Sequence, residues 1–313
     1  MELPKVNYRG RVREVEVERG GRKLAVGGES CYPFYTFEGA MPHPVRFALE
    51  VQDQAPDDWP EWLKRAWGGV LDNPAAWASK AAEYGADLIS LHLASTDPNG
   101  ADRGVDDVLP IVEAVLEAVD LPLIVWGTTA EDKDRLVLKA VAERFEGQGL
   151  ILGPVAEGNY KQLAASALGF GHLIAATSPI DVNLAKQLNI LIENLGMKPE
   201  RMLIDPTTGA LGYGLEYTYS VMERIRMAAL TQEDEKLQLP LICNVGGEVW
   251  KSKEARLTAE EAPALGDPEA RGVMMEATTA LSVMLAGADI VILNHPRALD
   301  LARWAATALR PEA

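Results

Sequence analysis

The stretch RMLIDPTTGALGYGLEY, residues 201–217, decides the reading of this chain. An apolar run, Met202-Leu203-Ile204, ends in Asp205-Pro206. A loop containing Thr207, Thr208, Gly209, Gly212, Tyr213 and Gly214 follows, and helical spacing begins near Leu215. Glycine costs conformational entropy on folding. Three glycines so close together therefore indicate a backbone that bends sharply or lets something come near. Thr hydroxyls and bare amides next to a helix N-terminus can hold a polar or anionic ligand. The same pattern also suits an ordinary strand-to-helix turn.

Outward from this unit the pattern repeats. Short apolar runs at 45–51, 87–93, 123–126, 150–153, 172–176, 202–205, 240–244 and 289–294 read as strands. Helical spacing falls between them at 73–85, 106–119, 131–145, 159–169, 181–196, 215–230 and 268–286, and again at 297–309. Residues 246–267 read as irregular. Strands that are apolar nearly throughout are buried on both faces, as in a parallel sheet covered by helices. Eight βα units predict an α/β fold, a (β/α)8 TIM barrel over residues 44–313. A doubly wound open sheet is the rival. Residues 1–43 form an N-terminal extension. Within it, 11–26 alternate apolar and charged around Gly20-Gly21 and read as a β-hairpin, which plugs or flanks the barrel.

Composition narrows the function. The chain has 313 residues, 48% of them hydrophobic, enough for a sizeable core. Thirty basic against 46 acidic residues give a net charge of −16, which argues against nucleic acid as a partner. No run of 18 apolar residues occurs, so no membrane span is expected. The charged start, MELPKVNYRGRVREVEV, has no apolar core of a secretory signal, and a cytoplasmic protein is expected. The two cysteines, Cys31 and Cys243, are too few for a four-thiolate iron–sulfur cluster. They also have no zinc-type spacing.

In a barrel, chemistry sits where strands end and βα loops begin. The residues after the strands include Asp53, Thr96, Asp97, Thr128, Thr129 and Pro154. Further along come Thr177, Ser178, residues 205–214, Asn244, Gly246, Gly247, Asn294 and His295. No Lys is placed for a Schiff base, no nucleophile–His motif occurs, and no set of three metal ligands stands out. The rim is instead rich in Thr, Ser, Asn and Gly. It suits a large ligand decorated with amides, or a heterocycle. Asp205 either meets a ligand or braces its loop, and Asn244 is open to the same two roles. His295-Pro296 reads as a helix start. Trp59, Trp62 and Trp67 build either a partner interface or local core at the barrel edge.

The chain resembles the small (delta) subunit family of the corrinoid iron–sulfur protein, part of the acetyl-CoA decarbonylase/synthase system. The stretches that carry the resemblance are GGESCYPFYTFEGAMPHP (27–44), FALEVQD (47–53), WASKAAEYGADLISLHLASTDP (77–98), LIDPTTGALGYGLEYTYSVMERIR (203–226) and PLICNVGGEVWKSKEAR (240–256). The resemblance implies a TIM barrel paired with a large subunit that carries a [4Fe-4S] cluster and a corrinoid-binding domain. The corrinoid, a B12-type cobamide, would lie against the C-terminal mouth of this barrel. The complex would take a methyl group from methyltetrahydrofolate through a methyltransferase and pass it to acetyl-CoA synthase, in the reductive acetyl-CoA pathway. No DxHxxG pattern, source of a lower cobalt ligand, occurs here. On this reading the chain is a non-catalytic cap. Thr207, Thr208, Gly209, Gly212, Tyr213, Asn244 and Gly246 are the expected corrinoid contacts, and no residue is expected to bind metal. The loop at Asp205 also looks like the sixth-strand region of pterin-binding barrels. That likeness keeps a second reading, a stand-alone pterin-dependent methyltransferase related to dihydropteroate synthase. A plain barrel aldolase or isomerase is a weaker third, lacking its Lys or metal set.

Overall fold

The computed structural model describes residues 5–310; the outermost residues of the expected extension and barrel, 1–4 and 311–313, lie outside the described residues. The chain opens with β1 (Glu14–Arg19) and β2 (Arg22–Gly27), an antiparallel pair joined at Gly20-Gly21. Both glycines have positive φ, at +58° and +75°, as a two-residue hairpin turn requires. The barrel follows. Its first half runs β3 (Arg46–Gln52), α1 (Glu61–Arg65), α2 (Pro74–Glu83), β4 (Leu88–His92), α3 (Val105–Ala118), β5 (Leu123–Trp126), α4 (Glu131–Arg144) and β6 (Ile151–Val155). The second half runs α5 (Tyr160–Phe170), β7 (Leu173–Thr177), α6 (Val182–Asn194), β8 (Met202–Asp205), α7 (Leu215–Leu230), β9 (Leu241–Asn244), α8 (Val245–Val249), α9 (Lys253–Arg256), α10 (Pro268–Leu285), β10 (Ala288–Leu293) and α11 (Pro296–Leu309).

Strands β3 to β10 pair in parallel, each with the next, and β10 closes on β3. The rival open sheet is thereby excluded. Alternation along the strands sorts side chains between two layers. Phe47, Leu49, Ile89, Leu91, Val291 and Leu293 face the helices and join the larger core. Ala48, Leu88, Ile124, Ile151, Leu203 and Ile290 face inward. The hairpin completes this inner layer. Val15, Val17, Leu24 and Val26 pack into the same cluster, so β1 and β2 plug the N-terminal end of the barrel. Arg19 fastens the plug by donating to the carbonyls of Val119 and Leu121, at 2.5 and 2.9 Å, just ahead of β5.

Two expectations need correction. Residues 246–267 are not simply irregular, since α8 and α9 lie at and within their start. The sequence of α8, VGGEV, hides a helix because two glycines weaken its propensity. What starts the helix is the Asn244 side chain, which accepts the Gly247 amide at 3.1 Å. The interface reading of the Trp cluster also fails. Trp59 and Trp67 are 6% and 0% exposed and pack edge-on against Trp77, while Trp62 is partly buried against the same core.

The plug generates a prediction. A carboxylate at position 17 would be buried without a partner, at a cost of several kcal/mol. Val17→Asp should lower the melting temperature by about 10 °C, at roughly 3 °C per kcal/mol. Glu16→Gln, on the exposed face of the same strand, should shift it by less than about 2 °C. Equal tolerance of both in a calorimetric scan would mean that the hairpin only flanks the barrel.

Candidate functional site

Because the hairpin closes one end, the C-terminal mouth is where the interior meets the βα loops. Two residues on from the inward apolar layer, each strand presents its last inward side chain. From Ala48 the count leads to Glu50 and Gln52, and from Leu88 to Ser90 and His92. It leads from Ala175 to Thr177, from Leu203 to Asp205, from Ile242 to Asn244 and from Ile292 to Asn294. Trp126 fills the centre. A Cβ on Gly153 would fall 2.8 Å from its ring, so glycine is required there. The mouth is thus apolar below and polar at its floor.

Two titratable centres occupy that floor. Gln52 donates to Glu50 Oε1 at 2.9 Å, and His92 Nδ1 stands 3.7 Å from the same oxygen. Burial is the largest single influence and opposes the charge on Glu50, but His92, the Gln52 hydrogen bond and the charge of Lys251 together hold the carboxyl below the usual range. Burial likewise opposes a charged His92, and Glu50 outweighs that, so the imidazole is raised. Both shifts favour the ion pair. The second centre is Asp205, 5% exposed. Thr207 N–H donates to its Oδ1 and Thr177 Oγ1 to its Oδ2, both at 3.0 Å. Burial nonetheless pushes this carboxyl up to about 6, with the charge of Glu248 acting in the same direction.

The expected contact residues divide. Thr207 sits at φ +63°, a costly conformation for a β-branched residue. Its hydroxyl donates to the Ser178 carbonyl at 2.9 Å. Thr129 and Ile180, in two other βα loops, are also β-branched with positive φ. Backbone strain of this kind persists only where surrounding contacts enforce it, and it gathers at functional sites. Thr208 is buried, with its hydroxyl turned toward the buried Cys243 thiol rather than toward solvent. Gly209 does allow a close backbone approach, but by the Gly214 backbone, 2.6 Å from where a Cβ would stand. Gly212 has φ +79° and nothing within 4 Å of a Cβ, so it faces open space. Tyr213 is 48% exposed, and its hydroxyl donates to Glu254 at 2.7 Å. Asn244 uses its side-chain oxygen to cap α8. A Cβ on Gly246 would meet Asn294 Oδ1 at 2.2 Å, so that glycine serves packing.

The sequence reading missed Glu50, Gln52 and His92. It collected residues that follow the strands, whereas these three lie inside strands. Period-2 alternation in FALEVQ and LISLH was the signal that could have found them. Asp53, which it did collect, accepts from the Ser95 amide and hydroxyl and braces two loops. His295 is indeed a helix start: its Nδ1 accepts from Arg297 N–H at 3.1 Å. Burial lowers its pKa to about 4. Behind it, Glu276 accepts from Asn294 N–H, His295 N–H and Trp250 Nε1, tying α10 to the end of β10. Among the described residues, no group of three or more His, Cys, Asp or Glu is arranged to hold a metal ion. No helix among them is long and apolar enough to cross a membrane.

The geometry can be set beside known proteins. Residues 14–300 match the family model described as CO dehydrogenase/acetyl-CoA synthase delta subunit. The acetyl-CoA decarbonylase/synthase complex subunit delta of Archaeoglobus fulgidus is 36% identical over 308 residues, covering 94% of this chain and 68% of that protein. The subunit of the same name from Methanothermobacter thermautotrophicus is 35% identical over 95% of this chain and 75% of its own length. The chain belongs to this delta-subunit family. Among solved structures, the dihydropteroate synthase of Coxiella burnetii in complex with pteroic acid superposes with a TM-score of 0.59. It is 13% identical, over 95% of this chain and 99% of that one. The Xanthomonas albilineans dihydropteroate synthase with 4-aminobenzoic acid gives 0.58 at 19% identity, over 96% and 100%. These two share the fold.

The raised pKa of Asp205 makes a signed prediction. A folded pKa above the unfolded 3.8 means the folded chain favours the proton. The stabilisation is fully present below pH 4 and is lost as pH rises through 6. At pH 7 the buried charge costs about 3 kcal/mol at most. Asp205→Asn should therefore raise the melting temperature at pH 7 by several degrees, and the gain should vanish below pH 4. A variant equally or less stable at pH 7 would show that the carboxylate is there for structure.

Proposed function

We propose that this chain is the delta subunit of an acetyl-CoA decarbonylase/synthase complex and that its barrel mouth caps a corrinoid held by a larger subunit. The observation that carries this is the character of the 207–214 loop. It leaves the C-terminal end of β8, is neutral, and offers an open Gly212 and a half-exposed Tyr213. Those groups fit a macrocycle edged with amides. The half-exposed Tyr213 ring would pack against its edge, and Gly212 would let that edge approach the backbone. A bound corrinoid supplies a cobalt that alternates between a strongly reducing nucleophile and a methyl carrier. This chain's part is to cover one face, exclude water and hold the ring in place. Trp126 and the apolar layer below it close the floor to solvent from beneath.

The larger partner would carry the [4Fe-4S] cluster. In this reading the complex receives a methyl group from methyltetrahydrofolate through a methyltransferase and delivers it to acetyl-CoA synthase, in the cytoplasm of an organism that uses the reductive acetyl-CoA pathway.

Co-expression with the large corrinoid iron–sulfur subunit should yield a coloured complex containing cobalt. Gly212→Trp should lower its cobalt content at least fivefold while the two chains still co-purify. Unchanged cobalt would remove this loop from the site.

One observation favours the second reading, a stand-alone pterin-dependent methyltransferase. Asp205 is a carboxylate poised near neutrality, and the Glu50–His92 pair supplies an acid and base. Against it, the Asn244 oxygen is already committed to the α8 cap. Methyl transfer from methyltetrahydrofolate to free cobalamin by the isolated chain would establish this alternative.

A further inference from the structure

At the end of the barrel opposite the mouth, a cleft of about 340 Å³ opens between the N-terminal extension and the last turn of α11. Phe34, Met41, Val45 and Phe47 give it apolar walls. Three arginines line it against a single carboxylate, Asp87. Arg46 is the first residue of β3, Arg303 stands on α11, and Arg310 follows that helix directly. This is a concentration of positive charge in a chain whose net charge is −16.

The aspartate is already engaged. Its Oδ2 accepts the Phe47 amide at 2.9 Å and pairs with Arg303 at 3.1 Å. Arg303 also donates to the Gly85 carbonyl, and its guanidinium lies 5.6 Å from the centre of the Phe47 ring. Arg46 and Arg310 make no ion pair among the described residues. Arg310 Nη2 donates to the carbonyls of Met41 and His43, at 2.7 and 2.6 Å, and Arg46 Nε to that of Ala25 at 3.4 Å. A guanidinium carries five N–H donors in a fixed fork. Most of those on Arg46 and Arg310 therefore have no partner among the described residues, both terminal nitrogens of Arg46 included. Burial lowers the pKa of Arg46; Asp87 opposes this, and the like charges of Arg310 and Arg303 lower it further. Arginine remains charged at neutral pH, so the three groups repel one another with one carboxylate between them. The wall is strained as well. Phe34 has φ +63°, an outlier for a bulky side chain, and its amide donates to Met41 Sδ at 2.9 Å. Strain of this kind is retained where a surface must keep a given shape.

We propose that this cleft binds a small organic anion, a phosphate ester or a carboxylate on an aromatic or apolar body. The anionic head takes the free forks of Arg46 and Arg310, whose planar geometry matches it. The body lies among Phe34, Met41 and Val45. Bound there, the ligand joins β3, the extension and the end of α11, at the opposite end of the barrel from the 207–214 loop. The inference is independent of the corrinoid reading.

The experiment is titration calorimetry on the full chain with phenyl phosphate and benzoate, and with benzyl alcohol as their uncharged counterpart. The better of the two anions should bind at least tenfold more tightly than the alcohol. Tighter phenyl phosphate assigns a phosphate ester, tighter benzoate a carboxylate. Raising the salt from about 50 to about 300 mM should weaken binding several-fold. Arg46→Met and Arg310→Gln should each weaken it at least tenfold, whereas Arg224→Gln, at an exposed position of α7, should leave it unchanged. Thr307→Glu brings a carboxylate into the cleft from an exposed position of α11. It should abolish binding without lowering the melting temperature, so a failure to fold cannot imitate the result. Equal affinity for benzyl alcohol, no binding of either anion, or binding that survives both arginine substitutions overturns the site. If only a chain shortened by residues 311–313 binds, the chain's own Glu312 fills the cleft and the proposal is refuted.

Discussion

A closed parallel barrel must fill its own interior, and this one fills it from one end. Eight strands enclose more volume than their inward side chains occupy, and voids larger than a methyl group are costly. Here the inward positions include Ala48, Ala175 and Gly153, which are small. The deficit is met by the Trp126 ring above and by four apolar residues of the hairpin below. The hairpin is thus part of the core, although it precedes every barrel element in the chain. With the N-terminal end stopped, polar inward residues are confined to the other end. The location of the site follows from the way the core is packed.

The floor of the mouth contains what a purely structural barrel would omit. Asp205 and the Glu50–His92 pair are desolvated, and burial works against the charged form of each. Positive φ at Thr129, Ile180 and Thr207 adds local strain in three separate βα loops. Neither expense improves packing. Such features are retained where a defined polar surface is needed. Yet most of the groups are already engaged with one another: Thr207 with Ser178 and Asp205, Asn244 with Gly247, Tyr213 with Glu254. An arrangement so occupied changes little when a ligand arrives, and that rigidity suits a cap.

The barrel was legible because its signal is redundant. Eight apolar runs at regular spacing survive an error of two residues at any boundary. The hairpin was legible for the same reason, through alternation and a Gly-Gly turn. What stayed hidden had a weaker or competing signal. The short helix at 245–249 depends on a side-chain cap in a sequence whose glycines resist helix. The burial of Trp59 and Trp67 depends on Trp77, an ordinary helix residue in the sequence. Glu50, Gln52 and His92 were missed because a residue's facing is fixed by register, which a search for residues after strands ignores. Within the 207–214 loop the chain direction was readable. The partners of each hydroxyl and amide, which fix Thr207 against Ser178 and bury Thr208, arise only from tertiary contact.

The neutrality of the lip and the acidity of the whole chain bear on one another. A net charge of −16 creates a field that repels anions from most of the surface. At the 207–214 loop no Lys or Arg counters it, so the mouth is a poor place for a phosphate sugar of the kind many barrels bind. A ligand whose polar groups are uncharged amides avoids that repulsion and can still use hydroxyl and backbone donors. The same field discourages two copies of this chain from meeting. On the proposed reading, that electrostatic property selects the macrocycle at the mouth.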